Sequence, residues 1–200
     1  MTVILASGSA TRADMLRNAG LDLDTDPADL DETSMIAALT GDGDLSPEDV
    51  ATVLAEAKAS HVSARHPGFT VIGADQTLSL ERRVFQKARS IEEARRNLLD
   101  LSGKTHGLHS AVAVARDGVI EWSYADTAWL TMRAMGPAEI GRYLARIGDD
   151  AMGSVGGYRI EGFGIQLFDR IDGAYWTILG LPLLPLLAFL REDGHLARSI

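Results

Sequence analysis

The spacing of apolar residues changes period several times along the chain, and each change predicts an element. Val3-Ile4-Leu5-Ala6 is a short apolar run rich in β-branched residues, followed by Ser7-Gly8-Ser9 and then by Met15, Leu16 and Ala19 at helical spacing. That order predicts a strand, a tight turn and a helix, with Ser9 as N-cap and Gly20 closing the helix. From Asp22 to Asp44 the chain is rich in Asp, Thr and Gly and reads as irregular, with one helical turn near Met35 to Leu39. Ser46-Pro47-Glu48-Asp49 predicts a helix start, since Pro suits the first helical position and acids suit the positive end of the dipole. This helix should run to about Ala64, with Val50, Val53, Leu54, Ala57 and His61 along one face.

Thr70 to Ala74 predicts the next strand, ending on Asp75, and Glu81-Arg82-Arg83 a hairpin turn before Val84-Phe85. Ser90-Ile91-Glu92-Glu93 has the spacing of a capping box for a helix through Leu98, Leu99 and Leu101. Between Lys104 and Arg133 the period becomes two, broken by Asp117-Gly118, a strong hairpin signal. Gly136-Pro137 opens a helix carrying Ile140, Tyr143, Leu144 and Ile147. A Gly-rich loop at 153–157 leads to a strand over Ile165 to Ile171, a second strand near Trp176 to Leu179, and an apolar helix from about Leu183. The pattern is mixed α/β, with an early βα unit and a later β-rich section.

Composition narrows the function classes. At 200 residues, with 46% hydrophobic and 24% charged residues, the chain has enough apolar material for a substantial core. The absence of cysteine excludes disulfides, thiolate metal sites and a cysteine nucleophile, and the cytoplasm is the expected compartment. A formal net charge of -9 disfavours general nucleic-acid binding, although a few focused cations can still hold a small anion. The longest apolar stretch, Ile178 to Leu190, is interrupted by Pro182 and Pro185 and is short for a membrane span, so neither a signal peptide nor an anchor is expected.

Several residues have chemistry that composition does not explain. The Ser7-Gly8-Ser9 turn, between a strand and a helix, points free N–H groups and a helix dipole outward, and Arg12 can add a guanidinium fork. Asp75 at a strand end, with Asp31 and Glu32, supplies oxygen donors of the kind Mg²⁺ prefers. Lys58 and Lys87, each taken alone, read as surface charges, and the glycines of Glu161-Gly162-Phe163-Gly164 suit either a close ligand approach or plain turn geometry. His106 and His109 have no metal-ligand spacing, and Trp122, Tyr124 and Trp129 read as core or interface rather than a cofactor box.

Taken in order, these segments resemble the Maf family of nucleoside triphosphate pyrophosphatases, also described as septum-formation inhibitors. The resemblance is carried by the 4–12 segment ILASGSATR, Asp31-Glu32, the 55–59 segment AEAKA, Gly73-Ala74-Asp75, Gln86-Lys87, the 101–106 segment LSGKTH, Glu161-Gly162-Phe163-Gly164 and Gly180-Leu181-Pro182-Leu183, nearly end to end. It implies one domain over 1–200, an α/β fold with two lobes around a cleft and similar to inosine triphosphate pyrophosphatase, and a homodimer. It also implies hydrolysis of a nucleotide between its α and β phosphates with Mg²⁺ or Mn²⁺. By position, Asp75 becomes the proton acceptor, and Arg12, Lys58 and Lys87 the triphosphate-binding cations, with Ser7 and Ser9 in the anion-holding turn. Glu32 and Asp75 become the metal ligands.

Thr11, Gln76 and Glu161 fall where the family chooses its base. Gln76 and Glu161 resemble the branch acting on 7-methyl-GTP rather than that acting on dTTP and UTP, where Thr and Gln are usual. A carboxylate can accept from the guanine N1–H and amino group, and it favours the cationic methylated ring. Ala10, Thr11 and Ala88 depart from the family pattern. A dTTP/UTP or broader-range nucleotide pyrophosphatase and a silent nucleotide-binding regulator of cell division are the competing expectations.

Overall fold

Strand β1 (Val3–Leu5) is buried throughout, and the chain turns directly into helix α1 (Ala10–Asn18), capped by Ser9 and followed by Gly20 at φ 90°. The computed structural model describes residues 2–41 and 45–196, so the end of the acidic 22–44 stretch, at 42–44, lies outside the described residues. The rest of that stretch is more regular than expected. Leu23–Thr25 forms β2, paired in parallel with β1 through Val3↔Leu23. Glu32–Gly41 forms the full helix α2, rather than one turn. Asp31 explains its start: its carboxylate accepts from the Ser34 N–H at 3.1 Å and the Ser34 hydroxyl at 2.6 Å, which holds its pKa below the usual range.

Helix α3 (Pro47–Ser63) begins with the capping box of Ser46 and Asp49. Its buried face differs from the expected one. Ala51, Ala55, Lys58, Ala59 and Val62 are buried together with Val50 and Leu54, whereas His61 is exposed. Apolar residues surround this helix, so hydrophobicity alone does not select a face. The selection comes from small side chains: Ala51, Ala55 and Ala59 pack on Ala111, Ala113 and Ala115.

Strand β3 (Thr70–Leu80) pairs in parallel with β1 through Leu5↔Ile72 and does not end at Asp75. The polar run Asp75-Gln76-Thr77 resembles a strand end, but Asp75 and Gln76 find buried partners, Thr77 is itself buried, and the strand continues. Asp75 nevertheless lies beyond the carboxyl end of β1, the edge where α/β sheets bind ligands. A turn at Glu81 and Arg82 leads to β4 (Arg83–Phe85), paired with β3 at Leu78↔Phe85. Ser90 caps α4 (Ile91–Leu101), but Glu93 returns to the Arg89 N–H at 2.9 Å instead of closing the expected box on Ser90. Strands β5 (Thr105–Arg116) and β6 (Val119–Met132) flank the Asp117-Gly118 turn, and α5 (Pro137–Ile147) follows.

Ile165 to Leu167 belongs to a 3₁₀ helix (Phe163–Leu167), so the following strand β7 is only Phe168–Asp172 and pairs with β6 at Leu130↔Ile171. Near Trp176 the expected strand is instead one helical turn, α6 (Tyr175–Ile178), before α7 (Leu183–Glu192). Aromatic and β-branched residues favour strand there, but the carbonyls of Thr177 and Ile178 are claimed by side chains rather than a ladder.

The chain divides into two compact units, with boundaries inside β3, β5 and β6. The first holds residues 1–76, 109–126 and 174–200, with strands in the order β2-β1-β3-β5-β6 and a core of Leu5, Leu16, Ile72, Val112, Leu181 and Leu186. Trp122 stacks on Phe189 at the margin of this core, whereas Tyr124 is exposed. The second unit holds residues 77–108 and 127–173, with α4, α5 and the Gly-rich loop. Trp129 is exposed there.

His106 is fully buried in the second unit, with Nε2 2.7 Å from the Tyr158 hydroxyl, and burial lowers its pKa to about 4. An unfolded histidine titrates near 6.5, so below that pH only the unfolded chain takes up this proton. The neutral ring therefore contributes stability that is complete above pH 6.5 and declines as the pH falls to 4, by about 3 kcal/mol. Urea midpoints at pH 7 and pH 4 should differ accordingly, and His106→Gln should remove much of that difference. An unchanged pH dependence in the variant refutes this account.

Candidate active site

The site is assembled in the first unit. Gly73 and Asp75 share one face of β3, because strand side chains alternate. A methyl group at Gly73 would lie 2.2 Å from the Ala55 carbonyl oxygen and 2.5 Å from the Ala59 nitrogen, so α3 runs against bare backbone. That approach places Lys58, on the inner face of α3, with Nζ 2.6 Å from Asp75 Oδ1. Both side chains are more than nine-tenths buried. Glu32, at the start of α2, reaches the same ammonium at 2.8 Å with a half-exposed side chain. Of the Asp31-Glu32 pair, one residue therefore caps a helix and the other faces Lys58. Lys58 is not the surface charge its sequence context suggests.

Burial pushes the Asp75 carboxyl above the usual carboxylate range, while Lys58 and then Arg12 pull it back. Burial also lowers the Arg12 pKa, opposed by Asp75 and Glu32. Arg12 folds back from α1 onto three oxygens: Nε donates to Gly180 O at 2.8 Å, and Nη1 to Ala74 O at 3.0 Å and Ser7 Oγ at 3.2 Å. These three bonds use the Nε–H and both protons of Nη1. Gly180, at φ 96°, permits this contact, since a side chain there would be strained and would press on the guanidinium. Ser7 is buried and accepts from the Ser9 N–H at 3.3 Å, and Ser9 Oγ accepts from the Arg12 N–H at 3.4 Å. The turn thus organises Arg12 before any anion arrives.

Gln76 faces the opposite side of β3, with Ile72 and Ala74. Its Nε2 lies 3.0 Å from each of Ser110 Oγ, Thr177 O and Ile178 O. Thr11 is half-buried on α1. Lys87 and Glu161 are exposed in the second unit. His106 and His109 are buried, and among the described residues no group of three or more His, Cys, Asp or Glu side chains is arranged to hold a metal ion.

Sequence reasoning missed the oxygens that hold these side chains. Ser110 had one local signal, a hydroxyl opening the apolar run Ala111 to Ala115. The carbonyls of Ala74, Thr177 and Gly180 had none, because a backbone oxygen leaves no mark in a sequence.

Fold and site together define a mixed α/β protein that gathers two cations and two carboxylates beyond the carboxyl end of a parallel β1–β3 pair. The model of the Maf-like protein family matches residues 2–193, and the chain belongs to that family. It is 57% identical over 192 residues to a 7-methyl-GTP pyrophosphatase of Mesorhizobium japonicum, covering 96% of each chain. A 7-methyl-GTP pyrophosphatase of Brucella abortus is 54% identical, over 96% of this chain and 98% of that one. A nucleoside triphosphate pyrophosphatase of Bradyrhizobium diazoefficiens is 50% identical, over 98% of this chain and 95% of that one. No helix among the described residues is long and apolar enough to cross a membrane.

Proposed function

We propose that this protein is a nucleotide pyrophosphatase that hydrolyses 7-methyl-GTP to 7-methyl-GMP and pyrophosphate. The observation that carries the reading is the buried Lys58–Asp75 pair beside Arg12, in a chain 57% identical to a 7-methyl-GTP pyrophosphatase. Water attacks the α-phosphorus, its proton passes to Asp75, the bond from that phosphorus to the bridging oxygen breaks, and pyrophosphate leaves. A carboxylate whose pKa is raised by burial is a stronger base than a solvated one, which suits it to that proton. Arg12 Nη2 and the Lys58 ammonium are the cations that offset charge developing on the phosphates.

Glu32 and Asp75 fit a divalent cation in donor type: two hard carboxylates meeting on one ammonium, the number Mg²⁺ commonly takes from protein when phosphate and water complete its shell. When bound, Mg²⁺ or Mn²⁺ supplies charge neutralisation at the phosphates. Ser7 and Ser9 support the triphosphate through the turn that holds Arg12. Thr11, Gln76 and Glu161 are assigned to base choice and Lys87 to the triphosphate, each on its position in the family pattern alone. We further propose that the chain works as one domain, as a homodimer in the cytoplasm, without nucleic acid; the -9 charge supports the last point.

The name of the Bradyrhizobium relative favours a second reading, a pyrophosphatase with a wider base range. Pyrophosphate release from 7-methyl-GTP, GTP, dTTP, UTP and CTP with Mg²⁺ or Mn²⁺ separates the two. A dominant 7-methyl-GTP rate is expected. Comparable rates across the panel favour the broader reading, and silence throughout overturns both.

A further inference from the structure

Adjacent residues of one strand do opposite work here. Asp75 turns to Lys58, whereas Gln76 turns to a hydrogen-bonded network that neither the phosphates nor the attacking water needs. Ser110, fully buried on β5, donates its O–H to Thr177 O at 2.7 Å, so the lone pair of Ser110 Oγ is available to accept from Gln76 Nε2. Thr177, also buried, donates its own hydroxyl to Asp126 Oδ2 on β6. That bond fixes the turn whose carbonyls, at Thr177 and Ile178, also accept from Gln76.

This arrangement determines which end of the amide faces outward. Three oxygens surround Nε2, and rotating the amide by half a turn would press Oε1 against two carbonyl oxygens. The nitrogen is committed, and Oε1 is the atom left to meet a ligand.

We propose that Ser110, Thr177 and Asp126 are positioning residues for base selection, holding Gln76 as a hydrogen-bond acceptor. The inference rests on the reading that Gln76 meets the base. An acceptor-only amide favours a base edge with adjacent N–H donors, as N1–H and the exocyclic amino group of 7-methylguanine provide. It disfavours the edge of uracil or thymine, where two carbonyls flank a single N–H. Released from its anchors, the same glutamine can rotate, present its NH₂ and accommodate those carbonyls.

The test is kcat/KM for 7-methyl-GTP divided by that for UTP, in the full-length protein. Ser110→Ala, Thr177→Val and Asp126→Ala should each lower the ratio about tenfold, the effect of one lost orienting hydrogen bond. UTP turnover should hold or rise. Thr177→Ser and Asp126→Asn, which keep the hydroxyl donor and the oxygen acceptor, should retain the wild-type ratio. A merely structural role would lower both substrates in parallel, and that result, or an unchanged ratio, overturns the proposal. Should Ser110→Ala fail to fold, the half-buried Asp126 position still decides. If the wild-type enzyme prefers UTP or dTTP, the anchored acceptor does not select against their carbonyls and the inference is overturned together with the 7-methyl-GTP reading; if it prefers GTP, only the 7-methyl-GTP reading fails, and the ratio of GTP to UTP should show the same fall. A wild-type enzyme that does not discriminate among bases overturns the inference.

Discussion

Asp75→Asn is expected to lower pyrophosphate release by about 10²- to 10⁴-fold, the range for loss of a positioned general base, while leaving the fold in place. The substitution keeps the shape of the side chain and an oxygen for Lys58, but removes the basic site. Burial works against the ionised Asp75 carboxylate in the folded state, so removing its charge also removes a desolvation cost. Lys58 retains Glu32 at 2.8 Å. Thermal melting should therefore shift by only a few degrees while turnover collapses. The decisive measurement pairs single-turnover pyrophosphate release with a melting curve. Retained turnover removes Asp75 from the proton-accepting role, and a parallel loss of melting temperature makes the residue structural.

Gly73→Ala is expected to damage stability more than alanine at Gly8, Gly20, Gly68, Gly118, Gly180 or Gly194 of the first unit. The new Cβ would meet the Ala55 carbonyl oxygen at 2.2 Å, the Ala59 nitrogen at 2.5 Å and the Ala59 Cβ at 2.8 Å. Two of these are helix backbone atoms, which no rotamer change relieves. Overpacking of this kind costs about 3 kcal/mol, the upper end of the usual range, or roughly 10 °C of melting temperature for a chain of this length. Activity should fall as well, because the same close approach carries Lys58 to Asp75. Ala59→Gly, added to the variant, removes only the contact to the Ala59 Cβ and should restore little. Calorimetry on the three proteins tests this, and a wild-type melting temperature for Gly73→Ala shows that α3 does not lie as close to β3 as described.

Much of the site's chemistry was legible in residue types, but its geometry was not. Arg12 and Asp75 stood out because each follows a strand-like run in a setting suited to anions or metals. Lys58 did not, since a lone lysine on a helix with apolar residues all round reads as solvated. Its burial depends on Gly73 and six alanines, which carry little hydrophobic signal but allow backbone to approach backbone. Gln76 was legible as a site of base choice through family resemblance alone, and nothing local indicated that its nitrogen is spent on the protein itself.

The errors share a cause. Asp75 reads as a strand end because a charged residue usually meets water, and the segment near Trp176 reads as a strand because of its aromatic and β-branched composition. In both places distant partners outweighed the local preference. What the sequence determined by itself were features whose interactions span a few residues: the caps at Ser9, Ser46 and Ser90, the turn at Asp117-Gly118, and the starts of α3 and α5. The tertiary structure decided the pairs, with Lys58 meeting Asp75 across 17 residues, Gln76 meeting Thr177 across 101, and Arg12 meeting Gly180 across 168. Local preferences are set by covalent neighbours and persist in any fold. A buried charge or amide takes whichever partner the packed chain places within reach.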